Sequence, residues 1–143
     1  ISIFSNLDKI NKKLQVVMPL HPRTVKKLKE FNINTKIEIF SPMGYISMLS
    51  LLDQAEMVIT DSGGLQKEAY FSKKKCVTIR TETEWVELIN SGANILSNHK
   101  NLYDVFDKVI EKNCSFSTNY YGNGNATELI LNSMLDFFYN YKD

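Results

Sequence analysis

Ile3, Leu7, Ile10 and Leu14 recur at helical spacing, so the first dozen residues read as an amphipathic helix. Residues 14–18 then form a short apolar run ended by Pro19 and Pro22, as a buried strand entering a loop does. Residues 23–31 read as a helix and 36–40 as a strand, with Pro42 and Gly44 punctuating the loop that follows. Over 45–55, Ile46, Leu49 and Leu52, with Met48 nearby, share one face of another helix. A buried strand at 57–60 runs into Ser62-Gly63-Gly64, which opens a helix reaching about residue 71. Residues 76–79 are a strand, 84–90 a short helix ending near Gly92, and 93–96 a last strand. Helices at 101–112 and 127–139 close the chain.

Short apolar strands alternating with helices predict an α/β domain built on a parallel sheet with helices on both faces. Ligands of such folds sit beyond the carboxyl ends of the strands. The loops there hold His21-Pro22-Arg23, Ser41-Pro42-Met43-Gly44-Tyr45, Asp61-Ser62-Gly63-Gly64 and Arg80-Thr81-Glu82-Thr83-Glu84. Both arginines, one of the two histidines and the Gly-Gly pair thus fall on one edge.

Composition narrows the class. The 143 residues suit one domain, and 43% hydrophobic with 23% charged residues excludes collagen-like and disordered chains. A net charge of +1 gives neither a nucleic-acid footprint nor a polybasic membrane patch. No apolar run approaches the ~18 residues of a membrane span, and no signal peptide is evident. Cys76 and Cys114 have neither metal spacing nor the look of a disulfide framework, which predicts a reducing, cytoplasmic setting. The chain opens on Ile1 rather than Met, so a piece of a longer polypeptide is expected. Of 17 basic residues only Arg23 and Arg80 are arginines. In a lysine-rich background, a planar fork suited to phosphate or carboxylate stands out.

The richest segment is Asp61-Ser62-Gly63-Gly64-Leu65-Gln66-Lys67-Glu68. A strand, Ser-Gly-Gly and a helix leave backbone N–H groups at a positive helix end, with no Cβ to bar close approach. That suits a diphosphate; a plain serine N-cap is the competing reading. The segment is neither a P-loop nor a G-x-G-x-x-G motif, which removes ATP and dinucleotides. Glu68, one turn further, can accept the hydroxyls of a ribose or simply offset the helix dipole. Arg23 can clamp a phosphate, and His21 can donate to it or move a proton. Arg80 faces the same edge, with Glu82 and Glu84 able to orient it or simply to begin the next helix. Tyr45 can stack on a base or anchor its helix in the core. His99 reads as exposed and inert. The loop Tyr120-Tyr121-Gly122-Asn123-Gly124-Asn125-Ala126 offers a further helix-end contact.

These segments, in this order, resemble the non-hydrolysing UDP-N-acetylglucosamine 2-epimerase family. The motifs are His21-Pro22-Arg23-Thr24, Ser41-Pro42-x-x-Tyr45, Thr60-Asp61-Ser62-Gly63-Gly64-Leu65-Gln66-x-Glu68-Ala69, Arg80-x-x-Thr83-Glu84 and Tyr121-Gly122-x-Gly124-Asn125-Ala126. The resemblance implies the C-terminal, UDP-binding half of a glycosyltransferase-B architecture, Rossmann-like, with the active site between two halves. It implies diphosphate contacts at Ser62, Gly63 and Gly64, ribose at Glu68, nucleotide at Arg23 and Arg80, uracil near Tyr45 and the reacting sugar near His21. It further implies no NAD or other cofactor, elimination and re-addition of UDP with inversion at C2, and a homodimeric parent. Two departures stand out. Thr83-Glu84-Trp85-Val86-Glu87 replaces the usual continuation and is similar to the branch acting on UDP-diacetamido-glucuronic acid. The domain's first strand with its His-Arg-x-x-Asn segment, and the whole N-terminal half with its proton-transfer carboxylates, are not in these residues, so the fragment alone is expected to be inactive. Two alternatives remain at this stage: half of a UDP-dependent glycosyltransferase, or a non-catalytic nucleotide-binding module. Thr60 stands where retaining transferases often place a second Glu, which counts against the first.

Overall fold

In the computed structural model, residues 2–140 are described; Ile1, at the start of the first predicted helix, lies outside them. The elements follow in the order α1 (Ser2–Ile10), β1 (Val17–Pro19), α2 (Pro22–Glu30), β2 (Glu38–Phe40), α3 (Tyr45–Gln54) and β3 (Met57–Thr60). They continue with α4 (Gly63–Phe71), β4 (Lys75–Ile79), α5 (Val86–Asn90), β5 (Asn94–Ser97), α6 (Leu102–Ile110) and α7 (Ala126–Asn140).

All strand pairs are parallel, as the alternation predicts, but they form two sheets: β1 with β2, and β3-β4-β5 in sequence order. Strand β4 sits between two neighbours and buries Cys76, Val77 and Thr78. By contrast β2 is exposed along its length, so the expectation of helices covering both faces holds for the centre and not for this edge.

Two helices cover one face. Leu7 and Ile10 of α1 meet Leu102, Phe106 and Val109 of α6 and Val77 of β4 in the largest apolar cluster. Met18, Met57, Ile59 and Ile95 pack onto it, so both sheets rest on this layer. Asn6 staples the helices together, donating to the Ser2 and His99 carbonyls and accepting from Tyr103 N at the start of α6. That bond satisfies one of the amides a helix start leaves unpaired. On the other face, Leu52 of α3 and Ala69 of α4 cover Val58 and Cys76.

Three local readings are corrected. The first strand lies at 17–19 rather than 14–18 and contains Pro19. Proline is tolerated there because it ends a parallel strand, where one missing N–H costs little. Ile46 is 77% exposed, so the buried face of α3 rests on Leu49 and Leu52 without it. The fifth helix starts at Val86, because the Thr83 hydroxyl turns the chain by accepting from Trp85 N. Helix α7 buries none of its side chains, although Leu129, Ile130, Leu131, Met134 and Leu135 are all apolar. Among the described residues, no helix is long and apolar enough to cross a membrane.

Candidate nucleotide site

Strand β3 delivers the chain into α4 with Ser62 as N-cap in extended conformation. Its hydroxyl oxygen accepts from Leu65 N at 3.4 Å, a long bond, while its proton stays available to a ligand. Among the described residues, no acceptor reaches the amides of Gly63 or Gly64. The start of α4 therefore presents two open N–H groups at the positive end of its dipole.

Gly63 is required for a spatial reason. A Cβ there would lie 2.1 Å from Oε1 of Glu84, whose other oxygen accepts from Arg80 Nη1 at 2.9 Å. Arg80 is thus held at the α4 start by a carboxylate lying where an anion is favoured. Both partners are half-exposed, so the pair is worth at most about 1 kcal/mol and can open for a ligand. The sequence expectation that an acidic neighbour orients Arg80 holds for Glu84.

The remaining candidates lie at the carboxyl ends of their own strands. His21 is the N-cap of α2, and its Nδ1 accepts from Arg23 N at 3.2 Å. An accepting Nδ1 assigns the proton of neutral His21 to Nε2, which becomes its outward donor. Arg23 is exposed on the first turn of α2. Tyr45 begins α3 and is 62% exposed, which removes the core-anchor reading and leaves its ring available for stacking. Glu68 lies in α4, half-buried. Close contacts join Ser62, Gly63, Arg80 and Glu84 into one group; among the described residues, His21, Arg23 and Tyr45 stand on the β1–β2 sheet and make no bond to it. His99 is exposed and contributes only its carbonyl.

Sequence reasoning passed over the support beneath this site. Gln66, fully buried, accepts through Oε1 from Thr83 Oγ1 at 2.7 Å and Asn94 Nδ2 at 2.9 Å, and donates to the Ser62 carbonyl at 3.3 Å. Asn94 in turn accepts from Thr78 Oγ1 at 2.8 Å. Gln66 thus ties the α4 start to β5 and the loop carrying Arg80, and through Asn94 to β4. The available signal was Gln66 four residues after Ser62, on the helix side that must face the sheet.

Trp85, at the position that departs from the family pattern, donates from Nε1 to the Gly63 carbonyl at 2.9 Å. The Lys67 ammonium lies 4.5 Å from its ring and 4.6 Å from that of Tyr121. Tyr121 packs edge-on against Tyr70, Phe71 and Trp85 and donates to Glu87 Oε1 at 2.6 Å. Its loop is therefore anchored along the side of α4. The Tyr121 hydroxyl, a backbone bond and Lys67 hold the Glu87 carboxyl below its ordinary value of 4.5. Burial, and then the bond to Glu87, push the Tyr121 phenol up. A carboxyl whose folded value is depressed adds stability above its unfolded value, and that addition disappears as pH falls through the folded one. Tyr121→Phe should consequently be less stable than wild type at pH 7 and converge on it below pH 4.5, as urea melts across pH will show.

The cysteines are free, with burial pushing the Cys76 thiol up to about 11. A cleft of about 580 Å³ is lined by Phe4, Asp8 and Lys12 of the α1 segment and Phe31–Asn34 after α2. It shares no residue with the site, and the α4 start itself is an open shelf.

The model describing UDP-N-acetylglucosamine 2-epimerase matches residues 1–135. The chain belongs to the UDP-N-acetylglucosamine 2-epimerase family. A Methanococcus maripaludis UDP-N-acetylglucosamine 2-epimerase is 38% identical over 140 residues, 91% of this chain and 38% of that protein. A Pseudomonas aeruginosa UDP-2,3-diacetamido-2,3-dideoxy-D-glucuronate 2-epimerase is 49% identical over 81 residues, 57% of this chain and 23% of that protein. Among solved structures, the Methanocaldococcus jannaschii UDP-GlcNAc 2-epimerase in complex with UDP-GlcNAc and UDP superposes with a TM-score of 0.80 at 36% identity. That superposition covers 94% of this chain and 40% of the other. The chain therefore spans two-fifths or less of each of these three epimerases. These likenesses favour the epimerase over the transferase reading.

Proposed function

We propose that the chain is the UDP-binding, C-terminal portion of a two-domain, cytoplasmic and homodimeric UDP-sugar 2-epimerase. The observation that carries this is the start of α4: two unpaired glycine amides beside an arginine held by a replaceable carboxylate. A diphosphate takes the Glu84 position, receiving Gly63 and Gly64 N–H, the Ser62 hydroxyl and Arg80, which stabilise the charge that builds on UDP as the C1–O bond breaks. Glu68 takes the ribose hydroxyls, Tyr45 the uracil, and Arg23 a second phosphate contact. His21, donating from Nε2, stands toward the sugar.

In the proposed reaction a base removes the C2 proton while UDP leaves C1, giving a glycal. UDP then adds back at C1 and a proton returns to the opposite face of C2. No external oxidant is consumed. The exposed apolar face of α7 and the open shelf at α4 support a partner domain that covers both. The 49% likeness over 81 residues to the diacetamido-glucuronate epimerase favours a 2,3-diacetamido uronic acid as the sugar.

Calorimetric titration of UDP, CDP and UMP tests the site. UDP should bind best, and Ser62→Ala and Glu68→Ala should each weaken it about tenfold, one hydrogen bond apiece. Indifference to base, β-phosphate and both substitutions would remove the assignment. The chain alone should incorporate no solvent deuterium at C2 of UDP-N-acetylhexosamine, a result proton NMR reads directly.

A further inference from the structure

We propose that Trp85 is a positioning residue for the nucleotide site: its indole N–H fixes the Gly63–Gly64 peptide so that the Gly64 amide points at the diphosphate. The inference rests on the diphosphate reading of the α4 start and adds to it what aims the amide. Trp85 Nε1 donates to the Gly63 carbonyl at 2.9 Å. All peptides among the described residues are trans, so this carbonyl and the Gly64 N–H leave one rigid plane in opposite directions. Holding the oxygen therefore aims the N–H, out of the open end of α4. A helical carbonyl already accepts from the amide four residues on, and the indole takes its second lone pair. Two donors on one carbonyl polarise the peptide and strengthen its N–H as a donor.

The glycines are why this bond is needed. Neither residue 63 nor residue 64 has a side chain to restrict its backbone, and the Ser62 hydroxyl reaches past both to Leu65 N, over 3.4 Å. A first turn built this way has little internal restraint, and Trp85 supplies it from outside. The indole is itself held. Trp85 N donates to Thr83 Oγ1 at 3.2 Å, the Tyr121 ring meets the indole edge-on at 6.0 Å, and the Lys67 ammonium lies 4.5 Å from its centre. The preceding residue behaves differently. Glu84 Oε1 occupies the space a Gly63 Cβ would need, and Glu84 is exposed and replaceable, whereas Trp85 is half-buried. When a diphosphate displaces Glu84, the indole keeps the loop of residues 80–85 attached to α4, and Arg80 stays within reach.

Trp85 is the chain's single tryptophan, so protein grown on a tryptophan analogue changes residue 85 alone. Benzothienylalanine keeps the bicyclic shape and puts sulfur in place of the N–H. A ring-fluorinated tryptophan keeps the N–H and weakens the ring face toward Lys67. Calorimetry with UDP and UMP, and NMR of the Gly63 carbonyl carbon and the Gly64 amide, read both proteins. With benzothienylalanine the preference for UDP over UMP should shrink about fivefold or more, the share of one aimed hydrogen bond. The Gly63 carbonyl carbon and Gly64 nitrogen should shift in the free protein, and the Gly64 response to UDP should diminish. Fluorinated tryptophan should restore the wild-type result in each. An unchanged preference with benzothienylalanine, whatever happens to Tm, overturns the proposal. Equal loss with the fluorinated ring also overturns it, because the effect would then belong to the ring and not the N–H. If the unsubstituted chain binds no UDP, the diphosphate reading fails and takes the proposal with it. UDP binding that ignores the analogue sinks the proposal alone.

Discussion

Gln66→Leu should cost this chain about 3 kcal/mol, the largest loss expected from any single polar substitution. The side chain is fully buried and serves Thr83, Asn94 and Ser62 at once. Leucine fills much of its volume but leaves two donors and a carbonyl without a partner, each worth about 1–3 kcal/mol when buried. Thr83 is only half-buried and can turn to water, which lowers the sum. For a chain of this length the loss lowers Tm by about 10 °C. Pairing it with Asn94→Leu separates a network from a set of independent bonds. If the bonds act together, the double variant loses at least about 1 kcal/mol less than the two single losses added. Additive losses would mean that Gln66 is simply a well-packed side chain. UDP affinity should fall in the same variant, because Thr83 also fixes the backbone that presents Arg80 and Glu84.

Gly64→Ala should move stability and binding in opposite directions. A Cβ at residue 64 meets only the Ser62 hydroxyl, at 4.0 Å, so the free protein accommodates it. Alanine in the first helical turn is favoured over glycine by up to about 1 kcal/mol. A methyl group on that shelf nevertheless stands where a diphosphate must approach the amides. Loss of one charge-assisted hydrogen bond, about 1.5–3 kcal/mol, corresponds to roughly 10- to 100-fold weaker UDP binding. Thermal melts and calorimetry on one preparation read both effects. A parallel change, with stability and affinity falling together, would mean that Gly64 serves the fold rather than a ligand. Gly63→Ala is a less clean probe, since its Cβ must first displace Glu84 and so frees Arg80.

The Ser-Gly-Gly shelf at the start of α4 was legible because its signals are local. Strand 57–60, the Ser-Gly-Gly turn and a helix ending at Phe71 occur where the apolar run and glycines put them. The parallel pairing followed from apolar strands alternating with helices. The split into two sheets did not, because the pattern along the chain says which residues form strands and not which strands touch. Ile46 misled through periodicity: it shares a helical face with Leu49, but among the described residues nothing buries that end of α3. The Gln66 network was illegible for a different reason. Its members come from α4, β4, β5 and a loop, and no spacing links residue 66 to residue 94. Trp85 was visible as a departure from the family pattern, whereas its bond to Gly63 and its place beside Lys67 exist only in three dimensions.

The central claim is that the start of α4 receives the diphosphate of a uridine nucleotide. Proton–nitrogen NMR of the chain during UDP titration tests it most directly. The amides of Gly63, Gly64 and Leu65 should shift together and saturate, UMP should shift them less, and Gly64→Ala should suppress the response. UDP-induced shifts confined to the cleft lined by Asp8, Lys12 and Asn34, or no response at Gly63 and Gly64 under saturating UDP, would contradict it.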